Sequence, residues 1–129
     1  MKKHTLRLGF VMTILAAPLA LSGCIVVAAA AGAGTYAYVS GALDATLDSS
    51  LDRAVAATER GLKDLRFSAV LVTHDALVGK ATATMADDTD IEIKLKKITD
   101  TTTRVSIRVG TFGSEKKSIE ILDAIKKRL

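Results

Sequence analysis

Residues 90–96 carry the clearest pattern in the chain: Ile91, Ile93 and Leu95 alternate with Asp90, Glu92, Lys94 and Lys96. A period of two puts the apolar set on one side of an extended chain and the charges on the other, which predicts a strand with one core face and one wet face. The pattern recurs over 103–110, with Val105, Ile107 and Val109 inward and Arg104, Ser106 and Arg108 outward. Over 77–85, Leu77, Gly79, Ala81, Ala83 and Met85 alternate with Val78, Lys80, Thr82 and Thr84. These inward side chains are mostly small, so something bulky is expected to pack over them. Residues 67–73 are rich in β-formers. His74-Asp75, Ala86-Asp87-Asp88 and Asp100 with its threonines read as turns. Connections this short imply antiparallel hairpins. Residues 41–47 set Leu43, Ala45 and Leu47 against Asp44 and Thr46, a half-buried strand or equally the lead-in to a helix.

Two stretches switch to the helical period. Leu51, Val55, Thr58, Leu62 and Leu65 recur at four-three spacing and predict an amphipathic helix over 49–65, with Asp48, Ser49 and Ser50 offering side-chain oxygens to cap it. Ser114 is placed to cap a second helix whose apolar face is Ser118, Ile121, Leu122, Ile125 and Leu129. Lys126, Lys127 and Arg128 suit the negative end of that helix's dipole. A sheet with one apolar face and two helices with one apolar stripe each make two layers. The expected fold class is therefore α+β, an antiparallel sheet of four to five strands with two amphipathic helices packed on one face.

The first 39 residues follow neither period. Lys2, Lys3 and Arg7 precede an apolar run broken by Pro18, and Leu21-Ser22-Gly23-Cys24 follows, ending on the only cysteine of the chain. This layout resembles a bacterial lipoprotein signal, in which the tetrapeptide is the lipobox. The resemblance implies cleavage between Gly23 and Cys24 and acylation of Cys24, leaving a chain anchored to a membrane by lipid. The expected organisation is a signal peptide over 1–23, a lipidated Ala/Gly-rich tether over 24–40 and an α+β domain over 41–129. Residues 25–39 carry no charge. They read as a greasy tether, or as a segment lying against the membrane with Tyr36 and Tyr38 at the headgroups. The competing reading is one uncut membrane-spanning helix over 8–39, which has the necessary length.

Charge changes the picture once it is placed. The net charge is +4, but three of the 18 basic residues precede Gly23, which leaves 15 against 14 acidic residues, or +1. That near-neutral balance, and export, argue against nucleic acid as a partner. Cys24 has no thiol partner, so no disulfide is expected.

Little in the chain offers reactive chemistry. His4 falls in the signal and leaves His74 as the only histidine beyond it, so histidine cannot build a two-His metal site. His74-Asp75 reads as a solvated hairpin corner. Asp87, Asp88 and Asp90 could gather around a hard cation but lack a loop pattern and read as a polar turn. No catalytic residue, metal or cofactor is expected. Lys94, Lys96, Arg104 and Arg108, with Lys80 beside them, share the outward side of neighbouring strands. They read as a solvated face or as a basic patch for anionic lipid, lipopolysaccharide phosphate or an acidic partner. Gly110-Thr111-Phe112-Gly113 reads as a turn leading into the last helix with Phe112 buried.

Four features resemble a family of small bacterial lipoproteins of unknown function. They are the lipobox, the Ala/Gly-rich start ending in Tyr36-Ala37-Tyr38-Val39-Ser40-Gly41, the segment from Ala45-Thr46-Leu47 through Leu51-Asp52-Arg53, and Ile107-Arg108-Val109-Gly110-Thr111-Phe112-Gly113 before the last helix. The resemblance implies localisation and fold but assigns no activity. The expected function is a non-enzymatic, lipid-anchored module of the cell envelope facing the periplasm. The rivals are an accessory subunit of an envelope assembly or transport complex, and an enzyme with an unrecognised site. Ile25 stands where an aspartate would argue for inner-membrane retention, so the outer membrane is the expected destination in a Gram-negative host.

Overall fold

The computed structural model describes residues 36–129. In chain order the elements are β1 (Tyr36–Val39), β2 (Ala42–Leu47), α1 (Leu51–Asp64), β3 (Ser68–His74), β4 (Val78–Thr84), β5 (Asp90–Thr99), β6 (Thr102–Val109) and α2 (Glu115–Lys126). The strands form one six-stranded sheet in the order β1-β2-β6-β5-β4-β3, every neighbouring pair antiparallel. The class is α+β as expected, with more strands than the four to five read from the sequence.

Residues 42–47 settle as strand rather than helix lead-in, because Leu43, Ala45 and Leu47 find the buried side of β6. The additional strand is β1, inside the stretch read as tether. Tyr36 pairs with Ala45 and Tyr38 with Leu43, and both rings are partly buried against the core. Their strand conformation also ends the alternative of one helix running through to Val39. The β1–β2 connection is two residues long, with Ser40 at φ 51° and Gly41 at φ 81°. Two central residues at positive φ match the twist of antiparallel strands, as in a type I′ hairpin.

Alternation gives each core strand its buried set: Ile91, Ile93 and Leu95 on β5, Val105, Ile107 and Val109 on β6, and Ala81 and Ala83 on β4. Both helices lie over this face, α1 against β3, β4 and β5 and α2 against β2 and β6. Leu51, Val55, Thr58 and Leu62 turn inward from α1, and Ser118, Ile121, Leu122 and Ile125 from α2. The small residues of β4 do admit something bulky, since a Cβ on Gly79 would stand 2.9 Å from Val55 Cγ2. Burying an isoleucine or leucine in such a core stabilises it by roughly 1.5–3 kcal/mol.

The caps differ from expectation. Ser50 and Ser114 occupy the N-cap positions, and neither side chain bonds to its helix. Ser49 is buried and its carbonyl accepts a hydrogen bond from the Thr103 hydroxyl at 2.9 Å, which ties the turn before α1 to β6. Both sheet edges are blunted against further pairing: β1 has four residues, and β3 is irregular between Ser68 and Leu71, with Ala69 at φ 50°.

Candidate functional site

Both helices cover one face of the sheet, and among the described residues nothing covers the other. The register sorts its side chains into rows that cross the strands. Val78, Lys96, Arg104 and Thr46 form one row; Lys80, Lys94, Ser106 and Asp44 form the next; Thr82, Glu92, Arg108 and Ala42 form a third. Lys94, Lys96, Arg104 and Arg108 thus share one surface, as the alternation predicts, and Lys80 joins them.

The cations are not equivalent. Glu92 takes Lys94 at 3.0 Å and Lys80 at 3.6 Å. The hydrogen bond from Lys94 holds the Glu92 carboxyl below its ordinary pKa, with the charges of Lys94 and Lys80 adding to the effect. Arg108 donates from Nη2 to the Ser40 carbonyl at 3.0 Å, so it braces the β1–β2 turn. Lys96 and Arg104 stand directly opposite each other on β5 and β6, and among the described residues neither forms an ion pair. Like charges directly across a strand pair repel. A hollow of about 540 Å³ lies beside them along β3, β4 and β5, with Val78, Lys80, Lys94 and Lys96 among its lining residues.

His74 closes β3, and its Nε2 lies 3.7 Å from the Asp52 carboxylate on α1. The Asp75 carboxylate accepts the Leu77 and Val78 N–H groups at 2.8 and 2.9 Å, which lowers its pKa. This corner is a braced hairpin, as its reading predicts. In the β4–β5 turn Asp87 accepts the Thr89 N–H at 3.1 Å. Among the described residues no group of His, Cys, Asp and Glu is placed to hold a metal ion. No helix among the described residues is long and apolar enough to cross a membrane. Gly23 and Cys24, the expected cleavage and lipidation positions, lie outside the described residues.

Phe112 corrects its reading. It is 93% exposed, not buried, because the loop that carries it is wedged by backbone rather than by its ring. A Cβ on Gly113 would strike the Gly41 carbonyl and the Tyr38 hydroxyl, and one on Gly41 would meet the Phe112 carbonyl at 2.6 Å. Two of the segments behind the family resemblance, 36–41 and 108–113, therefore meet at one corner.

Leu77 is also corrected: alternation put it inward, but it is 64% exposed in the β3–β4 turn, ahead of the first β4 residue. Ile98, 49% exposed, went unassigned. Its signal was available, since Ile98 follows Lys94 and Lys96 in the same outward phase.

No curated protein matches the chain. The family model described as Protein of unknown function (DUF3568) matches residues 6–128, nearly the whole sequence, and the chain belongs to that family.

Proposed function

We propose that the protein is a lipid-anchored, non-enzymatic module of the bacterial envelope, held by acylated Cys24, whose open sheet face receives an anionic partner. The observation that carries the binding half is the facing pair Lys96 and Arg104, which form no ion pair among the described residues and stand on the face that neither helix covers. Holding them opposite each other costs stability that an anion placed between them would recover. The anchor half rests on the amino-terminal pattern around Cys24. Stable anchoring needs two signals, which a second acyl chain or this basic face would supply.

An accessory role in an envelope complex is favoured by Phe112 alone. An exposed aromatic on a rigid corner is the kind of anchor that protein interfaces use.

The test has two arms. Cys24→Ser should abolish metabolic labelling with a fatty-acid analogue and leave uncleaved precursor; labelling that survives removes the anchor. The acylated protein in zwitterionic micelles should show amide shifts around Lys96 and Arg104 when short-chain phosphatidylglycerol is added, and none with phosphatidylcholine. The shifts should fade as salt rises past physiological strength, where screening already acts over about 8 Å. They should vanish in the double variant Lys96→Glu, Arg104→Glu. Equal shifts with both lipids would remove the anionic surface.

A further inference from the structure

The open face differs from end to end, and the difference points along the strands. Tyr36, where the described chain begins, pairs with Ala45, which faces Val105, then Leu95, then Gly79. The chain thus reaches the sheet beside the row of Thr46, Arg104, Lys96 and Val78, at the end made by the β3–β4 and β5–β6 turns. Three apolar side chains crop out at the same end: Leu77 at 64% exposed, Ile98 at 49% and Val78 at 46%.

They are neighbours. The Lys97 N–H donates to the Leu77 carbonyl at 2.8 Å, which brings Leu77 beside the end of β5. Lys97 faces Thr103 and Thr99 faces Thr102, so Ile98 is the extra residue of a bulge. Bulges re-aim a side chain. The acidic groups nearest in the two turns are already engaged, Asp75 by the Leu77 and Val78 N–H groups and Asp100 by Lys97 at 2.6 Å. Lys96 and Arg104 remain.

We infer that this end of the sheet rests on the bilayer that holds the anchor. Leu77, Val78 and Ile98 enter the headgroup–acyl boundary, while Lys96 and Arg104 meet the headgroups of anionic lipid. The inference depends on Cys24 being acylated. Cys24 precedes Tyr36 by 12 residues, a reach of no more than about 40 Å fully stretched. The strand β6 separates this end from the Phe112 corner by roughly 25 Å. The anchored chain joins the sheet at the Leu77 and Ile98 end, the end nearer the lipid along the chain. Apolar side chains flanked by cations are what an interfacial surface uses, apolar area entering the boundary and positive charge drawn to anionic lipid. The hollow lined in part by Val78, Lys80, Lys94 and Lys96 gives a headgroup room there.

Three variants of the full acylated chain, each with one added cysteine, test the orientation: Leu77→Cys, Ile98→Cys and Phe112→Cys, each carrying a polarity-sensitive fluorophore on the added thiol. All three positions are exposed, so none perturbs the core. In phosphatidylglycerol-containing vesicles the labels at positions 77 and 98 should shift to the blue. They should be quenched several-fold more strongly than the label at 112 by lipids bearing a shallow acyl-chain nitroxide. Adding Lys96→Gln and Arg104→Gln to the Ile98→Cys chain should weaken that quenching. If the protein floats with the vesicles but all three labels report water, or position 112 is quenched most, the docking surface is wrong, and an envelope protein becomes the occupant to seek. If wild-type Cys24 itself takes the fluorophore, the thiol is free and the anchor reading fails instead.

Discussion

The two ends of this sheet are built on different principles. At the Gly113 end, the β1–β2 turn and the loop before α2 fit backbone to backbone, with Gly41 at φ 81° and Gly113 at φ 81° where a side chain has no room. At the Tyr36 end the turns are held by side chains. The Asp75 carboxylate gathers two N–H groups, the Thr99 hydroxyl accepts the Thr101 N–H at 3.2 Å, and apolar groups are left outside. The first end is constrained by shape and tolerates little change. The second leaves Leu77, Val78 and Ile98 exposed, so these three answer to what lies outside the protein.

The comparison breaks most sharply at Gly113. Gly113→Ala places a methyl group against the Gly41 carbonyl at a positive φ, and should destabilise the protein by about 2–4 kcal/mol from strain and overpacking together. Denaturant unfolding of the full chain would measure it, and a loss under about 0.5 kcal/mol would mean the corner is not rigid. At the opposite end, Leu77→Ser should change stability by no more than about 0.5 kcal/mol, the usual range for an exposed position. A large loss there would turn the apolar outcrop into part of the core.

Acid should give the smallest effect and separate the ends again. The Leu77 and Val78 N–H groups hold the Asp75 carboxyl below its ordinary value of 3.8. A lowered pKa in the folded state contributes stability above 3.8 that is lost as pH falls through the folded value. The amide shifts of Leu77 and Val78 should therefore titrate with a midpoint below 3.8, while that of Gly41, held in a backbone contact, should not follow. If Gly41 moves with the same midpoint, the two ends are coupled.

Much of this architecture is legible one residue at a time. The alternation of Ile91, Ile93 and Leu95 and the helical spacing of Leu51, Val55, Thr58 and Leu62 assign elements and faces correctly, because burial repeats with the geometry of the backbone. The same period places Lys94, Lys96, Arg104 and Arg108 outward. It fails where neighbours in space decide: Leu77 is carried out by its turn, and Phe112 is displaced by a glycine wedge. Four apolar residues in β1 offer too short a run to distinguish a strand from the tether before it.

The sequence by itself determined the α+β class, the inward face of each core strand and helix, and the set of cations left outside, since each follows from a period of two or 3.6 and the cost of burying charge. Tertiary structure alone decided which cations find a partner. Register sets Lys80, Lys94 and Arg108 near Glu92 or Ser40 and leaves Lys96 facing Arg104. It also decided that the chain arrives beside that pair, next to Leu77 and Ile98, because cross-strand neighbours depend on how hairpins align and not on spacing along one strand.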